Sequence, residues 1–217
     1  HRRLARRLTV PIGRAPGPNV RAHLDAWLGA LMEPGQGDAS GYVAALLRDT
    51  DFKPAIRSCA PDLLEEVEGV AEGAGLPPDL VYALQLLDEE WAYRARRAAG
   101  RALDKCSSLA IVSASGPTWI DQNMDLGHYT DGFQALLRIA PHAGDPAAGV
   151  FTTAGMLGLM GVNAAGLGVC VNSLPQLPSA AHGVSSTLLH TSLTVVSSGR
   201  LTISPSAPSS PCRTLST

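Results

Sequence analysis

Residues 104–126, DKCSSLAIVSASGPTWIDQNMDL, contain the point at which the sequence pattern changes from helical to strand-like. Leu109 and Ile111 alternate with small residues, which is the two-residue period of a half-buried strand. The sequence then passes through residues 115–117 (SGP) and continues with residues 118–120 (TWI), a combination typical of a turn followed by a returning strand. The stretch therefore predicts a β-hairpin in the middle of the chain.

Before this point, residues 20–100 have the period of amphipathic helices. Three apolar faces recur at helical spacing: Val20, Leu24, Trp27, Leu28 and Leu31; Leu63, Leu64, Val67, Val70 and Ala71; and Leu80, Leu84, Leu87 and Trp91. Pro61 favours a helix start because its φ angle is fixed, and Gly73 and Gly75 favour the end of that helix. The segment is therefore predicted to contain about four helices.

After the hairpin, the sequence predicts four further strands and a fold of the α+β class. The strands are expected at residues 135–140, 149–153, 157–162 and 167–172, with residues 163–166 (NAAG) as a tight connector. A meandering antiparallel sheet would thus follow the helical segment. The predicted divisions are a helical part over residues 1–105, a strand-rich part over residues 106–183 and a tail over residues 184–217.

The tail from Val184 onward has an unusual composition. Nearly half of its residues are Ser or Thr, Pro recurs, and Asp, Glu, Lys, Asn and Gln do not occur. Such a segment can bury little apolar area to offset its ordering entropy, so disorder is the expectation. A shift of the reading frame near residue 184 is an alternative explanation, which we favour over a functional linker.

The amino-acid composition excludes several classes of protein. A chain of 217 residues with 45% hydrophobic content and a net charge of −2 has material for one sizeable core or two small ones. The basic residues are dispersed apart from a cluster at the start, so no nucleic-acid partner is expected. No apolar run approaches the roughly 20 residues that span a bilayer, so we expect no membrane association.

The four cysteines, Cys59, Cys106, Cys170 and Cys212, are far apart and form no C-x-x-C pair. This spacing suggests neither a zinc site nor a disulfide framework, so a reducing, cytoplasmic location is expected. The arginine-rich start is interpreted as surface or linker, because no apolar core of a targeting peptide follows it. The first residue is not Met, which suggests that the true N-terminus lies further upstream.

Cys106 is the strongest candidate for a reactive residue. A cysteine at the start of a strand is most often an inert, buried residue that packs like a small hydrophobe. If the bond between Lys105 and Cys106 is cut, however, Cys106 carries a thiol and a free α-amine with an ordinary pKa of about 7.7 to 8.0. One residue then supplies both a nucleophile and its base.

Two polar residues would complete such a site. Asp125 is a candidate to hold the new amine, and Asn172 is a candidate donor to an oxyanion. Each has an equally acceptable structural role, as a solvated turn acid and as a strand-ending turn residue. None of the six histidines has a convincing Cys-His arrangement: His128 is in a turn-like stretch and His23 lies on a helix.

Several motifs together resemble one known family. They are Cys106-Ser107-Ser108, the run DQNMDL at residues 121–126, and FTTAGMLGLMGVNAAGLGVCVNSL at residues 151–174. Residues 60–91 are similar to the helical pro-segment of that family. The chain thus resembles the acyl-coenzyme A:isopenicillin N (6-aminopenicillanic acid) acyltransferases, which belong to the N-terminal nucleophile (Ntn) hydrolases.

The resemblance implies a precursor that cleaves itself between Lys105 and Cys106. A helical α chain would then stay associated with a β chain, and residues 106–183 would form the first part of an αββα sandwich. A sandwich represented only by its first part would leave apolar sheet faces uncovered. The implied roles are Cys106 as self-processing residue and nucleophile and Asp125 as the partner of the amine.

The remaining implied residues and the reaction follow from the same resemblance. Asn172 matches an oxyanion asparagine, and Gln122 and Asn123 match the amide pair before the acid. The implied substrate is a small acyl amide or an acyl-coenzyme A, which reacts through a thioester on Cys106 without a cofactor or metal. The alternatives are hydrolysis of bile-salt or N-acyl amino-acid amides, and an inactive remnant whose helices over residues 20–100 act as a binding module.

Overall fold

The computed structural model of the chain describes residues 17–32, 38–97, 106–141, 144–173 and 182–195. Within these ranges the fold combines seven α-helices with two antiparallel sheets. The α+β class expected from the sequence is therefore confirmed.

Six helices precede the strands, where about four were predicted. They are α1 Gly17–Leu31, α2 Ala39–Arg48, α3 Phe52–Cys59, α4 Pro61–Ala74, α5 Pro78–Leu84 and α6 Leu87–Arg97. The predicted start of a helix at Pro61 is confirmed, and α4 ends at Gly75, whose φ of 64° is left-handed. Cys59, the last residue of α3, is disulfide-bonded, a bond that the spacing of the cysteines did not suggest.

The third predicted helical face, from Leu80 to Leu87 and beyond, is divided between α5 and α6 at Gln85. The buried side chain of Gln85 donates to the carbonyl oxygen of Gly155 at 2.8 Å and accepts from the backbone N–H of Leu157 at 3.0 Å. Because these bonds fix Gln85 against the strand-rich half, the chain turns there with bonds between residues three apart, such as Gln85 N–H to Tyr82 O. Periodicity alone cannot detect such a break.

The strands confirm the predicted hairpin and meander. The structure contains β1 Ser107–Ile111, β2 Trp119–Asn123, β3 Gln134–Ile139, β4 Ala148–Thr153, β5 Met160–Asn163 and β6 Gly168–Val169. β1 and β2 pair antiparallel, and the second sheet has the order β3-β4-β5-β6. The predicted connector at residues 163–166 is also confirmed, because Asn163 Oδ1 accepts from the N–H groups of Ala165 and Leu167 at 3.0 and 3.1 Å.

Two strands are shorter than predicted. β5 was expected to begin at Leu157, but Met156, Leu157 and Leu159 are directed into the core formed by the helices. β6 was expected to run over residues 167–172, but its ladder ends at Val169. The helices and the strands thus share one apolar core, which includes Trp27 of α1 at 0% exposure.

The expectation of disorder after Val184 is wrong for the part of the tail that the structure describes. Ser186–Val195 forms a helix, α7, which packs against the four-stranded sheet. Its threonine hydroxyls bond within the helix, as Thr191 Oγ1 does to Thr187 O at 3.0 Å. Because these bonds satisfy the hydroxyls, a Ser/Thr-rich helix can be buried. Residues 196–217 lie outside the described residues.

Gly161 of β5 provides a test of this packing. A Cβ at Gly161 would lie 2.5 Å from the carbonyl oxygen of Gly149 and 2.7 Å from Thr194 Cγ2 of α7. Gly161→Ala is therefore expected to lower the free energy of unfolding by about 1–3 kcal/mol, measured by urea denaturation. Gly149→Ala is the matched control, because its Cβ would meet no atom of the described residues within 4 Å. Equal stabilities for the two variants would contradict the packing of α7.

The other face of the sheet is partly exposed, at Leu136 above all, whereas Phe151 packs against the core. Leu136, Phe151 and Met160 are register partners on that face, and Leu136 is 70% exposed. The hairpin is also open to solvent, with Trp119 at 64% exposure. None of the helices in the described ranges has the length and apolar character needed to cross a bilayer.

Candidate active site

The hairpin places Cys106 beside the acid-amide run that follows β2. Ser107 of β1 is the register partner of Asn123 of β2, so the residue before β1 lies next to the residues after β2. The Sγ atom of Cys106 accepts a hydrogen bond from the backbone N–H of Asp125 at 3.3 Å. Cys106 is half-buried and carries a free thiol.

Asp125 contacts the sulfur with its backbone rather than with its carboxylate. The carboxylate is exposed, and its Oδ1 accepts from Nδ2 of Asn123 at 3.1 Å. Asn123 thus orients the acid that the sequence predicted as the partner of an amine on Cys106. The acid and the cysteine are brought together as expected, whereas Lys105 lies outside the described residues.

Asn172 also lies at Cys106. Its amide can be placed in two orientations, and both are compatible with the hydroxyl of Ser108 at 2.5 Å because a hydroxyl both donates and accepts. The orientation in which Nδ2 donates to the carbonyl oxygens of Cys106 at 3.2 Å and Val171 at 3.3 Å satisfies more groups. We adopt it, so both hydrogens of this amide bond to backbone carbonyls in the described state.

Gln122 connects the hairpin to the larger sheet. Its Nε2 donates to the carbonyl oxygen of Val171, and its Oε1 accepts from the backbone N–H of Val171 at 2.8 Å. The two bonds of this side chain thus take the place of backbone hydrogen bonds between strands, just after β6 ends at Val169. Ile120 packs on Gly168 at the same junction. By fixing Val171, Gln122 also places the following residue, Asn172, beside Cys106.

A small cavity of about 30 Å³ adjoins Cys106. Its walls come from α6, the start of β1, the segment after β2, the segment after β6 and α7: Leu87, Asp88, Trp91, Cys106, Met124, Asp125, Leu126, Leu159, Val171, Ser173, Ser186, Thr187 and His190. A cavity of this size can hold water, which needs roughly 10–15 Å³ by the same measure. The cavity is thus narrow, mainly apolar and polar at a few points.

Two acids at the start of α6 hold the N-terminal end of α7. Asp88 accepts from the hydroxyls of Ser173 at 2.8 Å and Ser186 at 3.3 Å. Glu89 Oε1 accepts from the backbone N–H of Ser186 at 2.7 Å. Through these hydrogen bonds the two acids fix the N-terminal end of α7 beside the cavity.

Burial changes the ionisation of two groups near this wall. It raises the pKa of Glu89 to about 7, and Glu89 Oε2 has no hydrogen-bond partner among the described residues. Burial also lowers the pKa of His190, although the negative charge of Asp88 acts in the opposite direction. The imidazole of His190 is therefore mainly neutral at pH 7 and able to accept a proton.

Sequence reasoning missed Asp88 and His190. Asp88 lies on a helix before the predicted cleavage site, and His190 belongs to the tail that was expected to be disordered. The sequence Asp88-Glu89-Glu90 before Trp91 is the one available signal, because three acids at a helix start form a strong charge cluster. No local pattern marks His190.

The described residues do not include three or more His, Cys, Asp or Glu side chains placed to hold a metal ion. Comparison with known protein families gives no match to this chain, and comparison with curated proteins gives none either. The roles of Cys106, Asp125 and Asn172 therefore stay predictions, for which the geometry provides the support.

Proposed function

We propose that the chain is a cysteine amidohydrolase or acyltransferase of the Ntn type that cuts itself before Cys106. One observation carries the proposal: the Asp125 backbone N–H and the Asn172 side chain both contact Cys106. These residues come from three separate segments of the chain. An inert core cysteine needs no such set of polar neighbours, whereas an acyl-accepting thiol does.

The chemistry proceeds from the chain end that the cut creates. The free α-amine of Cys106 takes the proton of the thiol, and the thiolate adds to the carbonyl carbon of a linear amide. The S–C bond forms, the C–N bond breaks, and the amine of the substrate leaves with the proton. Water or an acceptor amine then releases the acyl group from the thioester. Asp125, oriented by Asn123, stabilises the charged amine.

Asn172 would serve the oxyanion after a change of partner. Its amide hydrogens bond to the carbonyls of Cys106 and Val171 in the described state. The side chain is exposed, so water can replace it at those carbonyls when it turns towards a bound substrate. A donor of this kind typically contributes about 3 kcal/mol of transition-state stabilisation.

The α and β chains would stay associated after cleavage, because many contacts cross the division at residues 105 and 106. Gln85 bonds to Gly155 and Leu157, and Asp88 bonds to Ser173. Leu136 is exposed on one face of the four-stranded sheet, which leaves room there for the second sheet that the αββα sandwich requires. Substrate would be a small acyl amide or acyl-coenzyme A, with most of its acyl group outside the 30 Å³ cavity.

Trapping the acyl-enzyme tests the reaction. The protein is mixed with a panel of acyl amides, including conjugated bile acids and N-acyl amino acids, and the reaction is quenched in acid. The protein is then digested, and the masses of its peptides are measured by mass spectrometry. The expected result is an added acyl mass on the peptide that contains Cys106, with one substrate class preferred. Cys170 is an internal control, because it is also a free, half-buried thiol. Acyl mass on neither cysteine, or equally on both, would contradict the proposal.

A further inference from the structure

His23 of α1 is a histidine that lies entirely in the interior. Its exposure is 0%, and its Nδ1 lies 2.7 Å from the carbonyl oxygen of Ala154. Because a carbonyl oxygen can only accept, Nδ1 carries the hydrogen of this bond. The other ring nitrogen, Nε2, is then the bare nitrogen of a neutral imidazole. Nε2 has no hydrogen-bond partner among the described residues.

Two aromatic rings stack on this imidazole. The ring centroid of Phe133 lies 5.1 Å from that of His23, and the ring centroid of Tyr129 lies 6.3 Å from it. The hydroxyl of Tyr129 is itself buried without a partner in the described part of the chain, so it makes no bond to Nε2. A second proton on His23 would therefore create a buried cation with an unsatisfied N–H, which is costly.

The contact joins two parts of the chain that are far apart in sequence. His23 belongs to the helical part, whereas Tyr129, Phe133 and Ala154 belong to the strand-rich part. Ala154 is fixed at the same point, because its N–H donates to the carbonyl oxygen of Phe133 at 2.9 Å. A short 3₁₀ helix, His128–Thr130, also packs against α1. The neutral imidazole thus holds α1 against the segments before β3 and after β4.

Titratable groups occur on every element that packs against α1. Tyr129 stacks on the imidazole and is neutral below pH 8, because burial raises its pKa to about 12. Burial lowers the pKa of His23, and the bond to Ala154 opposes this shift but is the smaller of the two causes. Charge on the neighbouring elements is not among the causes. The groups are Arg21 and Asp25 on α1, His128 and Tyr129 on the 3₁₀ helix with Asp131 after it, Tyr42 and Arg48 on α2, Asp62, Glu65, Glu66, Glu68 and Glu72 on α4, and Asp79 and Tyr82 on α5.

We propose that His23 is a pH-sensitive switch, which holds α1 against the strand-rich part while the imidazole is neutral and releases the helix when the imidazole takes up a second proton. The inference does not need the chain break before Cys106 and applies to the cut and the uncut chain alike. In a cut chain the same contact would join the α chain to the β chain.

The direction of the effect follows from the lowered pKa of His23. Above the ordinary value of 6.5 the imidazole is neutral whether α1 is attached or released, so the contact has its full strength. As pH falls below 6.5, the released state binds a proton first, and release is favoured until the pKa of the attached state is passed. The raised pKa values of Glu66 and Glu89 act in the opposite direction, because they favour the folded state at low pH.

Hydrogen–deuterium exchange of the full chain tests the switch. The protection of amides in α1 and in residues 128–134 is measured by peptide mass at pH 7.5 and pH 5.0, with each rate divided by the intrinsic rate at that pH. In the unaltered protein, protection of both segments should fall about tenfold or more at pH 5.0. In His23→Asn the amide can still donate to Ala154 but takes up no proton, so protection should be lower than in the unaltered protein at pH 7.5 and equal at the two pH values.

His128→Asn is the matched control. It removes an exposed histidine from the 3₁₀ helix that packs against α1, and protection should fall at pH 5.0 as in the unaltered protein. A fall of the same size in His23→Asn would assign the effect to another group, such as His190, whose pKa burial also lowers, and would overturn the inference. Equal protection at both pH values in the unaltered protein would overturn it as well.

Nuclear magnetic resonance keeps the inference testable if His23→Asn does not fold. The ring protons of His23 in the unaltered protein are assigned from their proximity to the rings of Tyr129 and Phe133, and their shifts are followed as pH is lowered. A titration midpoint below 6.5 is expected, and a midpoint at or above 6.5 would overturn the switch. Intact mass reports the chain break separately, so failure of this inference and failure of the proposed function are distinguishable.

Discussion

Cys106→Ala is expected to abolish turnover of acyl amides, with a loss on the order of 10⁴-fold or more, because the nucleophile acts as a unit with its base and its oxyanion donors. The fold should persist, since Cys106 is half-buried and the side chain has one hydrogen bond, from the Asp125 N–H. Activity is measured by release of the amine product, and circular dichroism checks the fold.

Cys170→Ala is the matched control for this variant. Cys170 is also a free, half-buried thiol, and burial raises the pKa of its thiol, which makes it a poorer nucleophile. Its removal should leave turnover nearly unchanged. Equal loss of activity in the two variants, or retained activity in Cys106→Ala, would show that the chemistry lies elsewhere.

The stability of the protein is expected to fall between pH 4.5 and about 7 because of Glu89. Its carboxyl has a pKa of about 7 in the folded protein against an ordinary value of 4.5. Below pH 4.5 the group is protonated in both states and has no effect. As pH rises, the unfolded state loses the proton first, so the free energy of unfolding decreases until the folded pKa is passed. The full effect is about 3 kcal/mol.

Glu89→Gln is expected to remove this loss. The amide keeps an oxygen for the N–H of Ser186 and imitates the protonated acid at every pH, so the variant should equal the unaltered protein at pH 4.5 and exceed its stability by about 2–3 kcal/mol at pH 8. Urea denaturation at several pH values measures the difference. Glu66→Gln is the comparison, because burial also raises the pKa of Glu66 to about 7 but Glu66 belongs to α4. If the stability difference between Glu89→Gln and the unaltered protein were the same at pH 8 as at pH 4.5, the raised pKa of Glu89 would be contradicted.

Local patterns predicted the parts of the fold that depend on neighbouring residues. The hairpin follows from alternation around Leu109 and Ile111, and the start of α4 follows from Pro61, whose fixed φ is the same in any context. The split between α5 and α6 was not predictable, because Gln85 is fixed by bonds to Gly155 and Leu157. α7 was missed because composition does not reveal that threonine hydroxyls bond within the helix.

The candidate site was likewise predictable only where it depends on neighbouring strands. Register in the hairpin brings Cys106 to Asp125, so these two residues could be paired from the sequence and the motifs. The carboxylate of Asp125 and the amide of Asn172 have partners in the structure that no spacing indicates, namely Asn123 and the Cys106 carbonyl. His190 could not be found at all, since its place on the cavity wall depends on how α7 packs.

The central claim is that the backbone breaks in front of Cys106 and turns an interior residue into a chain end. Intact mass spectrometry of the freshly purified protein, followed by N-terminal sequencing of the C-terminal fragment, tests it most directly. The account predicts two associated fragments, the second of which begins with Cys-Ser-Ser, and a single uncut chain for Cys106→Ala. A single uncut mass for the unaltered protein would contradict it.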